Sequence, residues 1–501
     1  MKKIMFFIVF LVLLFTIYGC FQSGGSGMSD AIANGSYYVI NDDYNQNGET
    51  YNQLNELPFI DASEKNESYI SLDSSTAAYP NLRRMIKNNT ISNYSNSIRT
   101  DELINYFSYD FPQTLDTFSA YAEMGKAPWS EDHYLLTIGV KTKEVKIDRY
   151  AQGNNFVFLV DTSGSMRGEL RIDLVKKTIL MLIDHLNPND TISLVTYASK
   201  VGTICSGVKV SNKNEIKEKV NQLYASGSTN GGQGLQMAYK VAMDNFIEGG
   251  NNRIILATDG DFNVGISNTT DLLEFIQEKA KSGVYITCLG YGMYNYRDDM
   301  METIAKNGNG NYSYIDSIEE AKKVLIDEMD TALCTVAKDV KAMITFNPDV
   351  VSQYRLIGYE NKTLTESEYN NEEADAGEIG SNHTTMICYE LILKDSINAN
   401  ELCELEIKYK DPLNDQSLIY QNQFSELTLK EFNQTTEDFQ FVSSIVEFSQ
   451  ILRNSNYLGS SSIEHVLETL RSINIVTQDE YKNGFLTLVE TYYENNKWWS
   501  Y

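Results

Sequence analysis

The sequence predicts an α/β domain with a mostly parallel sheet and helices on both faces. This domain is inserted in or docked on a β-sandwich, and a C-terminal helical region follows. Three observations carry this: residues 151–333 alternate strand and helix patterns, 337–429 carry strand patterns alone, and 437–493 return to helical spacing. In the first stretch, strands are predicted at 156–161, 191–198, 201–207, 252–258, 284–290 and 311–315. Amphipathic helices are predicted over 169–186, 214–223, 233–246, 271–282, 297–307 and 318–331. Such alternation favours a parallel sheet covered on both faces. In the second, 340–346, 353–359, 384–393, 403–409 and 426–429 alternate apolar and polar residues, a sandwich signature. Half-buried strands are also expected at 118–124 and 134–140, so the α/β domain should interrupt one sandwich. The ends of such a domain lie close together, which makes insertion feasible. In the tail, Phe441, Val442, Ile445, Phe448, Ile451 and Leu452 keep a helical period, repeated over 463–470 and 481–493. Trp498 and Trp499 are expected to dock the end of the chain.

At 501 residues the chain should hold two or three domains. Its 41 basic and 68 acidic residues give a net charge of −27, which disfavours nucleic-acid binding. Lys2 and Lys3 precede an apolar run over 4–17, too short to cross a bilayer and of the length of a signal-peptide core. It ends at Ile17-Tyr-Gly-Cys20, which resembles the lipobox of bacterial lipoproteins. That resemblance implies lipidation at Cys20 and anchorage at the extracytoplasmic face of a bacterial envelope membrane, with a plain secretory signal as the rival. The expected organisation is a signal peptide over 1–20, a disordered tether over 21–80 and a region contributing strands to the sandwich over 81–150. The α/β domain follows over 151–333, the sandwich over 334–430 and the helices over 431–501. A helix is expected over 99–107, capped by Thr100 or Asp101. Cys205 and Cys288 fall inside apolar strand patterns and should be core residues. Cys388 and Cys403 would sit on a hairpin turning near Ile397 without facing each other, so no bridge is expected between them.

The candidate site starts at the strand 156–161, six residues apolar but for the last, Asp161. Asp161, Ser163 and Ser165 follow at intervals of two, with Gly164 allowing a tight turn. Downstream, Gly227-Ser-Thr-Asn-Gly-Gly232 offers the Thr229 hydroxyl, and the strand Arg253-Ile-Ile-Leu-Ala-Thr-Asp-Gly260 ends on Asp259. Oxygen-only donors at the carboxyl end of parallel strands suit a hard divalent cation.

In order and spacing these three loops resemble the metal-ion-dependent adhesion site (MIDAS) of von Willebrand factor type A (vWA) domains, which have a Rossmann-like fold. The resemblance implies that Ser163 and Ser165 coordinate Mg²⁺ directly (Mn²⁺ or Ca²⁺ being alternatives) and that Thr229 joins them when ligand is bound. Asp161 and Asp259 would act mostly through bridging waters. One open position would accept an Asp or Glu of a protein partner. Asp261 and Asn263, beside the site, are read as loop-shaping residues. Further stretches are similar to one branch, the bacterial extracytoplasmic vWA lipoproteins sometimes labelled calcium-activated chloride channel homologues. These are Asn105-Tyr-Phe-Ser-Tyr-Asp-Phe-Pro112, Ala257-Thr-Asp-Gly-Asp-Phe-Asn-Val-Gly265, Gly308-Asn-Gly-Asn-Tyr-Ser-Tyr-Ile315 and Tyr354-Arg-Leu-Ile-Gly-Tyr-Glu-Asn361. The channel label fits poorly, because no second apolar stretch is long enough to span a membrane.

The expected function is therefore non-enzymatic, Mg²⁺-dependent capture of an acidic side chain on a protein partner at the envelope. Two alternatives are a structural scaffold whose metal only stabilises loops, and a metal-dependent hydrolase. The second finds little support. His133, His185, His383 and His465 are scattered without His-Glu-x-x-His spacing, and no Gly-x-Ser-x-Gly elbow occurs. His185 reads as a helix C-terminal cap and His383 as a solvent-exposed loop residue.

Overall fold

The computed structural model describes residues 49, 51–91, 95–145, 153–260, 269–293, 296–374, 376–394, 402–424 and 427–497, with backbone only for Thr269, Thr270 and Ala332. Cys20, Asp261, Asn263, Trp498 and Trp499, and the readings made for them, lie outside these residues.

The chain enters through β1 (Ile60–Asp61), β2 (Glu67–Ser71), α1 (Ala78–Lys87), α2 (Thr100–Asn105), β3 (Phe118–Lys126) and β4 (Tyr134–Thr142). The tether expected over 21–80 is thus too long: β1 pairs at Ile60↔Tyr354 and β2 at Ile70↔Ala342, inside the sandwich. Their apolar residues are few, but Tyr69, Ile70 and Leu72 are buried. Short strands set among Ser and Asn carry too little periodicity to be read.

The α/β domain follows: β5 (Asn154–Asp161), α3 (Ile172–His185), β6 (Thr191–Tyr197), β7 (Val201–Lys209), α4 (Lys213–Asn221), α5 (Gly231–Asp244) and β8 (Asn251–Thr258). Then come α6 (Thr269–Ala280), β9 (Val284–Gly290), α7 (Asp298–Asn307), β10 (Tyr312–Tyr314), α8 (Ile318–Lys322), a π turn and α9 (Met329–Leu333). The sheet order is β10-β9-β8-β5-β6-β7, parallel except for the edge strand β7. All eight residues of β5 are buried, as a strand covered on both faces requires. From β5 the chain winds outward through β6 and β7, then crosses to β8 on the other side. The carboxyl end of β5 is therefore a topological switch point, where the loops on either side part and leave a crevice.

The remaining strands are β11 (Thr335–Phe346), β12 (Val351–Ile357), β13 (Gly377–Gly380), β14 (Thr384–Leu393), β15 (Cys403–Lys410) and β16 (Ser417–Phe424). One sandwich sheet is β1-β12-β14-β4-β3; the other is β13-β11-β15-β16, with β2 also paired to β11. Strands from before and after the α/β domain thus share both sheets. Two expectations fail here. The last strand is β16, not 426–429; within β16 the outward Ile419 is 60% exposed, which blurs its alternation. Leu427 and Leu429 do pack on the sandwich core, but outside any strand. Cys388 and Cys403 do not share a hairpin either: β14 pairs β12 and β4, whereas β15 pairs β11 and β16. The five described cysteines are buried.

Helices α10 (Glu437–Arg453), α11 (Ile463–Ser472), α12 (Asn474–Gln478) and α13 (Glu480–Asn496) close the chain. With α1 and α2 they form a core on the outer face of the first sheet, drawing in Leu135, Met386 and Cys388, while Leu136, Ile387 and Tyr389 face the sandwich interior. The alternation of β4 and β14 thus serves two cores. Among the described residues no helix is long and apolar enough to cross a membrane.

Two features fix the α/β domain to its host. Its outgoing and returning passages are both tied to one turn. Val145 N donates to Ser381 Oγ (2.6 Å) and Thr142 Oγ1 to Gly380 O (2.8 Å) on the way out. On the return, Thr331 Oγ1 donates to Ser381 O (2.7 Å) and Ser381 N to Cys334 O (2.9 Å). Second, Arg83 of α1 and Arg99, just ahead of α2, reach acids of the α/β domain. Arg99 bridges Glu102 (2.6 Å) and Asp298 (2.6 Å), and Arg83 reaches Asp316 (2.5 Å) and Glu320 (2.8 Å).

His383, in the same turn, is half-buried rather than exposed, and its Nε2 is buried without a hydrogen-bond partner. Burial, with Lys323, Lys141 and Lys362 nearby, pushes its pKa down to about 3. The folded state therefore refuses a proton that the unfolded chain accepts below about pH 6.5. The stability this group supports is present above that pH and is lost as pH falls toward 3. Wild type should lose about 1–2 kcal/mol more than His383→Gln between pH 7 and pH 5, read from urea unfolding at both values. Parallel losses in the two proteins would contradict the assignment.

Candidate metal centre

The site is built where β5 runs out. Apolar packing fixes the strand, and the loop then folds back on itself: Asp161 Oδ1 accepts Ser163 N at 2.8 Å. The other oxygen, Oδ2, accepts Thr258 Oγ1 at 2.9 Å, and Thr258 Oγ1 in turn accepts Gly260 N at 3.1 Å. One carboxylate thus holds the loops after β5 and β8 together. Asp161 and Asp259 are fully buried and Ser163 nearly so. Burial first, and then the charge of Asp259, push the Asp161 pKa up to about 6. Ser163 and Ser165 place their hydroxyl oxygens 2.9 Å apart.

The third loop is zipped to the first. Gly164 N donates to Gly227 O (2.9 Å) and Ser226 N to Thr162 O (2.7 Å). Gly227 has φ +87°, and a Cβ on Gly164 would stand 3.2 Å from its carbonyl oxygen, so both positions favour glycine. Ser228 N donates to Ser199 Oγ (2.9 Å), which fixes the residue before Thr229; Thr229 itself is half-buried, just ahead of α5.

Direct contacts therefore join Asp161, Ser163 and Ser165. Asp259 is linked through Thr258 and through its field on Asp161, and Thr229 through the backbone of its loop. Sequence reasoning missed Thr258 and Ser199. The hydroxyl before Asp259 is the signal for Thr258, whereas Ser199 lies in the short connection between β6 and β7 with no motif. His133 and His465 pair with Glu390 (2.6 Å) and Glu447 (2.8 Å), away from this site, and His185 bonds Met181 O on its own helix (2.9 Å).

The donor set fits a hard cation. Two buried carboxylates repel each other, and two adjacent hydroxyls and a third half-buried one offer oxygen atoms of the kind such a cation takes. Among the described residues no group of three or more His, Cys, Asp or Glu side chains is arranged to hold a metal. The candidate here rests instead on hydroxyls.

Sheet order, loop geometry and donor set define a vWA domain. Residues 155–327 match the family described as von Willebrand factor type A domain, and 45–137 match one described as von Willebrand factor. Residues 331–494 match the family described as "Uncharacterized protein YfbK, C-terminal". Across 468 residues the chain is 36% identical to YfbK of Escherichia coli K12, covering 88% of this chain and 80% of that protein, and it belongs to the YfbK family of vWA-domain proteins. Similarity to inter-alpha-trypsin inhibitor heavy chain H4 of Bos taurus is narrower: 30% identity over 146 residues, 28% of this chain and 16% of that protein. A solved von Willebrand factor type A structure from Catenulispora acidiphila superposes with a TM-score of 0.41 at 13% identity, covering 76% of this chain and 91% of that one.

Proposed function

We propose that the protein is a non-enzymatic binding protein of the bacterial envelope, capturing an acidic side chain of a protein partner through Mg²⁺ at the β5 switch point. The paired hydroxyls of Ser163 and Ser165 beside a fully buried Asp161 carry this reading. Ser163, Ser165 and Thr229 would hold the ion, with Asp161 and Asp259 balancing its charge. When bound, the ion supplies a Lewis-acidic position for a carboxylate. Asp161 spends both oxygens on Ser163 N and Thr258 Oγ1, so it orients the hydroxyls instead of crowding the ion. A vWA domain is consistent with a protein-interaction role, and the anchor proposed at Cys20 would present it at the membrane.

In titrations with an acidic peptide, replacing Mg²⁺ by EDTA should remove binding, and Ser163→Ala with Ser165→Ala should weaken it at least about tenfold, roughly the loss of one charge-assisted contact. Retained capture in the double variant would falsify metal-mediated binding. Binding lost with EDTA but kept in that variant would favour a metal that only braces the loops.

A further inference from the structure

The two zipped loops end in a rim that the metal reading does not use. Arg167 follows the serines, is exposed, and donates from Nε to Ala225 O at 3.1 Å. Its terminal nitrogens make no ion pair among the described residues. Leu170, in the next turn, is 45% exposed, and Tyr224, on the facing loop, is 74% exposed. Tyr224 points outward by alternation, since Leu223 and Ala225 on either side are buried. Lys176 Nζ fastens Leu223 O at 3.0 Å. The loop is therefore held at the residues on both sides of the tyrosine, which stands on a supported backbone.

We propose that this rim reads a bulky apolar residue adjacent to the captured acid, so that the partner presents an acidic–apolar turn. This inference rests on the reading of the site given above. Local charge supports it. A chain of net charge −27 repels acidic partners at long range, so affinity has to be made at contact. Arg167, held across the loops by its bond to Ala225 O, supplies a local positive charge for the carboxylate, with Glu169 exposed two residues further on. Leu170 and Tyr224 supply apolar area where water can be expelled around that contact; tyrosine and arginine are the residue types that dominate such interfaces.

The test uses the full chain and four cyclic hexapeptides carrying Asp-Phe, Phe-Asp, Asp-Ser or Ser-Asp, titrated calorimetrically in Mg²⁺, with Mg²⁺ alone titrated separately. At least one phenylalanine peptide should bind tenfold or more tighter than its serine counterpart. Leu170→Ser with Tyr224→Ser should erase that preference while leaving Mg²⁺ binding and serine-peptide affinity unchanged. Arg167→Gln should weaken all four peptides alike. Equal binding of phenylalanine and serine peptides by wild type overturns the inference and leaves the site reading standing. A preference that survives in the double variant overturns its assignment to these side chains. Failure of every peptide to bind while Mg²⁺ binds overturns the site reading itself.

Discussion

Arg99→Ala is expected to destabilise the protein by about 3–5 kcal/mol, the cost of stranding buried charges. Arg99 is 2% exposed and reaches Glu102 and Asp298, both buried. Asp298 also accepts Tyr312 OH at 2.7 Å, so it cannot swing out to water without breaking a second bond. Even with Arg99 in place, burial pushes the Asp298 pKa up to about 6. Without the guanidinium, the two acids would have to be protonated or the α1–α2 brace would have to open. Urea unfolding at pH 7 measures the loss, and Arg99→Ala with Asp298→Asn should regain part of it. A single-variant midpoint within about 1 kcal/mol of wild type would mean that the network is hydrated and contributes little.

Phe485→Ala should cost a similar amount, about 3–5 kcal/mol, the range for emptying a packed aromatic site. The Phe485 ring is fully buried among Tyr79, Phe107, Phe441 and Phe448, with ring centroids 5.7–6.3 Å away. Tyr79 comes from α1, Phe107 from just beyond α2, and Phe441 and Phe448 from α10. One ring thus joins the two ends of the described chain, and its loss should expose the outer face of the first sandwich sheet. Thermal unfolding should still show a single transition, shifted down. An isolated early transition for the C-terminal helices would show instead that they fold as a separate unit.

The α/β domain was the most legible part of the chain. Its strands are buried on both faces, so runs such as Phe156 to Val160 stand out without any alternation to interpret. Of the candidate donors, Asp161 and Asp259 stand out because they close two such strands. The host was harder to read, for physical reasons. β1 and β2 are short, and β16 turns Ile419 to solvent. The order of sandwich strands depends on contacts far apart in sequence, which local pattern does not encode, and so β14 and β15 read as a hairpin from sequence alone. For His383, polarity in the acidic stretch before it suggests exposure, whereas the residue sits half-buried in the turn that both passages of the α/β domain share. The Arg99 bridge had no local signal, since its partner Asp298 is 199 residues away.

That shared turn has a mechanical consequence. A domain whose two ends leave at one place cannot be peeled from its terminus by a pull on the loops that follow β5 and β8. The pull arrives at Gly380–His383 as leverage on a single pivot, opposed by Arg99 and Arg83 across the interface. Under load the first event should be tilting of the whole α/β body, with β5 and its loops intact, so the geometry at the switch point would outlast the seating of the domain.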